Sequence, residues 1–343
     1  MEKIEDFIEV IDQFSKINVL CIGDMMMDVY IIGTVSRISP EAPVPVVEVT
    51  SEECRLGGAA NTMHNIRSLG GNVFAVGVVG NDAYGQQFLD MLKSKGINTE
   101  GIFIDDEKPT INKTRILAGQ QQIVRVDKEK KIPLSTAQTK WFFDFVLSKI
   151  DTIDAIVISD YDKGTITEGL LEKVIELARA HHKPIVIDPK IKHFSYYKGA
   201  TVVTPNLNEA SAATGIKPIN ETSIRNMGQR ILTLLECDAV LITRGKDGMS
   251  LFDQNGDVVH IPTVAKEVFD VSGAGDTVTG IVTLCLAAGL GMVNAAFIGN
   301  AAAGIVVSKL GTATLSKEEL LSNLEVLFHE NVYQSVRFGN NGH

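Results

Sequence analysis

The sequence predicts an α/β fold: a doubly wound, mainly parallel sheet flanked by helices, with a small inserted β-sheet lid. Three observations predict it. Short apolar runs alternate with segments of helical periodicity, two segments alternate with a period of two and carry no helix, and glycine-rich turns stand between strands and helices.

In chain order, the apolar runs at 19–22, 73–79, 155–158, 184–187, 201–203 and 239–242 read as buried parallel strands. Helical patterns fall at 59–69, 84–95, 136–149, 167–180, 206–214 and 222–235. The last third adds strands at 249–252 and 258–261 and helices near 276–288, 292–308 and 316–328. Residues 30–49 and 110–127 break the rhythm. Pro40, Pro43 and Pro45 exclude helix from the first segment, and Gly119 supplies a turn in the second. Four short strands over a sheet edge would make a lid, or else decorative or dimer-forming hairpins. One α/β domain over 1–330, with the lid inserted and a tail at 331–343, is the expected organisation.

A chain of 343 residues, 45% hydrophobic, can bury a large core. Its formal charge of −10 argues against a nucleic-acid or anionic-membrane partner. Cys21, Cys54, Cys237 and Cys285 are far apart, which suits neither a zinc cluster nor a disulfide framework, so the cytoplasm is the expected setting. No run of about 18 apolar residues suggests a membrane span.

The strongest chemical signal is Gly273-Ala274-Gly275-Asp276 at the start of a helical run. The glycines let the backbone turn tightly, so free N–H groups and the positive end of the helix dipole converge where a phosphate would sit. Asp276 at the same point could take a proton from an attacking hydroxyl, or could simply cap the helix. A P-loop is absent, because Gly245-Lys246 is followed by Asp247. The dinucleotide fingerprint fails as well, since Val278 stands where its third glycine belongs.

Weaker signals accompany it. Asp28 and Asn61 offer acceptor and donor groups for sugar hydroxyls, and Gly57-Gly58 allows close backbone approach. Asn206 and Glu209 share one helix face, where they could orient water around Mg²⁺ or form a capping box. Asp188 and Lys190 end one strand, and Thr243 to Gly248 end another; each could be only a surface loop.

Taken in order, Gly57-Gly58-Ala59-Ala60-Asn61, Asp188-Pro189-Lys190, Asn206-Leu207-Asn208-Glu209, Thr243-Arg244-Gly245 and Gly273-Ala274-Gly275-Asp276 resemble the ribokinase-like (PfkB) carbohydrate kinases. The segments at 37–46, 120–127, 159–161 and 309–312 look specifically like those of D-glycero-β-D-manno-heptose 7-phosphate kinases. The resemblance implies transfer of the ATP γ-phosphate to the anomeric O1 of heptose 7-phosphate, on the way to a nucleotide-activated heptose such as the ADP-heptose used in lipopolysaccharide. It implies Asp276 as base and the Gly273, Ala274 and Gly275 amides as the anion hole. It places Mg²⁺ through water at Asn206 and Glu209, and ATP at Thr243, Arg244, Gly245, Lys246 and Gly248, with Asn300 and Ala303 near adenine. It assigns the sugar to Asp28, Gly57, Gly58 and Asn61, with Asp188 and Lys190 near its phosphorylated end. A monovalent cation is a further candidate cofactor, and a homodimer through the lid the expected assembly.

Ser272 replaces the threonine that many members carry, keeping the hydroxyl. The chain has no room for the nucleotidyltransferase domain fused to some heptose kinases, so a stand-alone kinase is expected. Arg37, Lys113, Arg115 and Arg125 on the lid of an acidic chain support a phosphorylated substrate, since guanidinium groups bind phosphate bidentately; solvated charges or ion pairs are the alternative. A non-catalytic sugar or nucleotide sensor, or a ribokinase, fructokinase or phosphofructokinase, are the competing readings.

Overall fold

Strand β1 (Asn18–Gly23) sits inside the main sheet and shows why the apolar runs lack alternation. Val19 and Cys21 enter the core on one face, and Leu20 and Ile22 enter the core on the other. Both faces are covered, so both sets must be apolar. The computed structural model describes residues 3–119, 121–265, 267–330, 332–333 and 337–338.

The chain opens with α1 (Ile4–Gln13), and β1 is followed by β2 (Met25–Ile38), β3 (Pro45–Gly58), α2 (Ala59–Ser68), β4 (Asn72–Gly80), α3 (Ala83–Ser94) and β5 (Asn98–Asp105). Next come β6 (Ile111–Ala118), β7 (Gln121–Lys128), α4 (Thr136–Lys149), β8 (Ala155–Ser159), α5 (Glu168–Ala180), β9 (Ile185–Asp188) and β10 (Val202–Val203). The last third holds α6 (Leu207–Thr214), α7 (Glu221–Leu235), β11 (Ala239–Thr243), β12 (Met249–Asp253), β13 (Val258–Ile261), α8 (Ala274–Ala287), α9 (Met292–Val306), α10 (Lys317–His329) and β14 (Arg337–Phe338).

The main sheet runs β14-β13-β12-β11-β10-β9-β8-β1-β4-β5, parallel from β11 to β5 and antiparallel beyond β11. From β1 the chain first builds outward through β4 and β5, then returns to build the other way from β8. That reversal leaves a crevice at the carboxyl ends of β1 and β8, where ligands settle in folds of this type.

The second sheet, β3-β2-β6-β7, is the small separate sheet expected as a lid. Its hairpins pair antiparallel, and β2 joins β6 in parallel. Gly119 makes its turn at φ +59°. The lid differs from the expectation of four short strands, because β2 and β3 are fourteen residues each. Their roots run into the body, where Met25, Met26, Met27 and Val29 are buried, so the hairpin starts at Met25 rather than near residue 30. Strand β5 was not anticipated; as an edge strand it is half exposed and its polar Asn98-Thr99-Glu100 lacks the apolar signature. Arg337–Phe338, in the expected tail, pairs with β13.

Candidate active site

Helix α8 begins immediately after Gly273, which stands in the left-handed region at φ +81°. A side chain there would also meet Asn61 Nδ2 at 2.5 Å, so only glycine fits. The first bond of the helical ladder runs from Thr277 N to Gly273 O at 3.0 Å, which leaves the preceding amides outside it. Ala274 N turns back to Val271 O at 3.3 Å. A Cβ added at Gly275 would meet nothing within 4 Å, so open space lies against the start of α8.

Asp276 is buried one residue later. Its Oδ2 accepts from Asn61 Nδ2 at 2.8 Å, while its Oδ1 accepts from Thr62 Oγ1 at 3.0 Å and from the Tyr161 hydroxyl at 2.9 Å. Asn61 and Thr62 come from the first turn of α2, packed against α8. Burial raises the carboxyl above the ordinary aspartate value, opposed by these three hydrogen bonds and by the Lys190 charge. Tyr161 is raised well above the ordinary phenol value by burial and by the Asp276 charge, so it remains a donor.

Two carboxylates fix the loop that carries Tyr161. Asp24, directly after β1, accepts from the amides of Tyr161, Lys163 and Thr165 at 2.9, 3.0 and 3.0 Å. Asp160 accepts from the Asp162 amide at 2.7 Å and from the Tyr197 hydroxyl at 2.6 Å. The segment 159–161 already stood out in the sequence, but no local rule assigns Tyr161 or Thr62 to a carboxylate more than a hundred residues away.

Next to Asp276, a cavity of about 130 Å³ is lined by Tyr161, Asp188, Lys190, Asn206 and Glu209 among others. Asp188 is driven well above the ordinary carboxylate value by burial and then by Asp276. Two carboxylates this close disfavour double ionisation; Asp276, with three donors, is the one better held as the anion. Asn206 and Glu209 form the capping box of α6: Glu209 N donates to Asn206 Oδ1 at 2.9 Å, and Asn206 N to Glu209 Oε2 at 3.0 Å. Glu209 Oε1 accepts from Lys190 Nζ at 2.8 Å. The Lys190 ammonium also lies 5.3 Å from the centre of the Tyr161 ring. Asp188, Asn206 and Glu209 present hard oxygen donors, which fit a hydrated Mg²⁺.

A larger cleft of about 450 Å³ shares Thr243 and Gly275 with this cavity. Val271, Val278, Ala303, Gly304 and Val307 wall it, with Gly245, Lys246 and Gly248 along its edge. Asn300 also lines the cleft and donates from Nδ2 to Pro262 O at 2.8 Å. An apolar slot running up to a helix start fits a purine nucleotide. The Arg244 guanidinium lies elsewhere: it turns into a separate groove, paired with Glu221 and donating to Ser250 Oγ at 3.0 Å.

On the lid side, Asp28 is buried at the root of β2 and paired with Arg115. A Cβ on Gly57 would collide with the Asp28 carboxylate. Gly58 holds φ +55° and ψ −138°, and a Cβ would fall 2.6 Å from Asp24 O. Arg125 is exposed on β7 and bonded to Asp127 at 2.8 and 3.0 Å. Arg37 is exposed near the lid tip. Among the described residues no helix is long and apolar enough to cross a membrane.

The pfkB family of carbohydrate kinases matches residues 16–319. The bifunctional protein HldE of Citrifermentans bemidjiense is 45% identical over 322 residues, which cover 94% of this chain and 66% of that protein. That of Geobacter sulfurreducens is 46% identical over 310 residues, covering 90% and 63%. The chain thus spans just under two thirds of the length of these relatives. In fold it is similar to Arabidopsis thaliana ribokinase, solved with ribose and ATP (TM-score 0.71, 17% identity, 90% of this chain and 99% of that one). It is also similar to Escherichia coli phosphofructokinase-2, solved with potassium (TM-score 0.75, 20% identity, 91% and 99%). A family match over most of the chain, together with a buried carboxylate at the glycine-marked start of α8, establishes that this protein belongs to the pfkB family of carbohydrate kinases.

Proposed function

We propose that the protein transfers the γ-phosphate of ATP to the anomeric O1 of D-glycero-β-D-manno-heptose 7-phosphate, giving the 1,7-bisphosphate. The observation that carries the reaction is the Asp276 carboxylate, which lines the oxygen-rich cavity beside Gly275, where that cavity joins the apolar cleft. The heptose assignment rests on the segments at 37–46, 120–127, 159–161 and 309–312, and the HldE relatives are consistent with it.

In this reading the O1–H bond breaks as the O1–phosphorus bond forms and the bond from phosphorus to the β,γ-bridging oxygen of ATP breaks. Asp276 takes the proton. Oδ1 already accepts two hydrogen bonds and Oδ2 only one, so Oδ2 has the freer lone pair and is assigned as the acceptor. The Gly275 turn faces the phosphoryl group. Asn206 and Glu209 would hold Mg²⁺ through water, and the ion would supply charge neutralisation on the ATP phosphates. Asp28 and Asn61 bind sugar hydroxyls, and Gly57 and Gly58 admit the ring. The cleft at Thr243 to Gly248, Asn300 and Ala303 takes the nucleotide, with the backbone of the 243–248 turn, not the Arg244 guanidinium, meeting the phosphates.

The exposed valines Val49, Val124 and Val126 on the lid support a homodimer through that sheet. The four cysteines are free thiols, which supports a reducing cytoplasmic setting. An ATP-consumption assay with heptose 7-phosphate, ribose, fructose and fructose 6-phosphate tests the assignment. Highest kcat/KM on heptose 7-phosphate is expected; a clear preference for another sugar would replace it, and no turnover with any of them would favour a binding protein.

A further inference from the structure

The strand register turns the inner face of the lid into a charge ledger. Directly opposed residues share a face. Asp28 pairs in register with Arg55 on one side and Lys113 on the other, and Lys113 pairs with Asp127. Two residues along, Tyr30 pairs with Glu53 and Arg115, and Arg115 pairs with Arg125. This face therefore carries the cations Arg55, Lys113, Arg115 and Arg125 against the anions Asp28, Glu53 and Asp127.

The anions are all taken. Arg55 pairs with Glu53, Arg115 with Asp28 and Arg125 with Asp127. The nearby ammoniums are spent too, Lys163 on Glu129 and Lys190 on Glu209. Among the described residues, no carboxylate pairs with Lys113. Its ammonium instead lies 6.0 Å from the centre of the Tyr161 ring, whose hydroxyl holds Asp276. One tyrosine therefore separates the surplus charge from the base.

Resting on the kinase reading above, we infer that Lys113 is the specificity residue for the remote phosphate of the sugar, meeting it under the lid while the anomeric hydroxyl faces Asp276. A half-buried ammonium with no anion partner is unfavourable as it stands and becomes favourable when a phosphate arrives. Its proton affinity is lowered first by burial and then by Lys163, with Asp28 and Asp127 opposing, and an incoming dianion would add to that opposition. The arginines, which sequence alone favoured for this task, are committed elsewhere. Arg115 buttresses Asp28, and Arg125 closes onto its own strand.

The test compares kcat/KM for heptose 7-phosphate and for unphosphorylated heptose in the wild type, Lys113→Gln, Lys113→Arg and Lys128→Gln. Lys128 is a lid lysine 3.7 Å from Asp82, and its removal controls for loss of any lid charge. The ratio of the two efficiencies is expected to fall by about ten- to hundredfold in Lys113→Gln, the worth of one charge-assisted contact. Lys113→Arg should retain most of it, and Lys128→Gln all of it. A wild-type ratio in Lys113→Gln, or an equal fall in Lys128→Gln, overturns the inference while leaving the kinase reading intact. A rise in KM for ATP with the sugar ratio unchanged assigns Lys113 to the nucleotide and overturns it as well. A wild type inactive on both sugars overturns the kinase reading and the inference with it. Should Lys113→Gln fail to fold, amine acylation of the wild type decides: no protection of Lys113 by heptose 7-phosphate overturns the inference, and protection supports it.

Discussion

Asn61 and Asp276, 215 residues apart in the chain, are joined by a 2.8 Å hydrogen bond that ties the start of α2 to the start of α8. It holds Oδ2, the oxygen proposed to take the proton, and so couples the two helix starts. Expectations for several variants follow from this geometry.

Asp276→Asn keeps the shape and removes the base. Turnover is expected to fall on the order of 10² or more, with ATP binding nearly unchanged. Steady-state kinetics alongside nucleotide titration checks it, and near-normal turnover would remove Asp276 from the role.

The pH profile should carry the mark of burial. Asp276 acts only when ionised, and its carboxyl is raised, so activity must fall as pH drops through a value above that of free aspartate, about 3.9. Tyr161→Phe and Thr62→Val each remove a donor to Oδ1 and should move this acid limb further up. A limb that stays put in both variants would mean that these donors do not act on the base.

Gly275→Ala and Gly273→Ala separate ligand space from protein space. Alanine at 275 meets no protein atom, so the thermal midpoint should hold while kcat/KM for ATP falls by about tenfold or more. Alanine at 273 strains the backbone and strikes Asn61, so stability should drop by about 1–3 kcal/mol along with activity. Normal kinetics in Gly275→Ala would place the phosphoryl group elsewhere.

At the lid root, Gly57→Ala should act on sugar binding by displacing Asp28, raising KM for the sugar by about tenfold. Gly58→Ala should act on folding, costing about 1–3 kcal/mol because of its positive φ and the nearby Asp24 carbonyl. Thermal melts and sugar KM, measured on both, distinguish the two effects.

Arg244→Leu should leave KM for ATP within about threefold, since the guanidinium pairs with Glu221 in a separate groove. The variant should instead lose stability by about 1–3 kcal/mol, because Ser250 and the buried arginine surroundings lose their partner. A large rise in KM for ATP would return Arg244 to the nucleotide.

Much of this protein was legible from local pattern. Residues such as Val19 to Ile22 had to be apolar on both faces, so the parallel sheet was readable; Pro43 and Gly119 marked the lid; and Gly273 to Asp276 announced a helix start that attracts anions. These features follow from backbone sterics and burial within a few residues. Long-range pairing was not readable. That Thr62 and Tyr161 would hold Asp276, that Lys190 would turn to Glu209 and Arg244 away from the nucleotide cleft, and that Arg115 and Arg125 would be neutralised while Lys113 was not, all depend on which strands lie side by side and in what register. Sequence by itself determined most of the elements and the anion-attracting start of α8; tertiary structure alone decided which charges are spent on one another and which are left for a ligand, because an ion pair is set by distance in space.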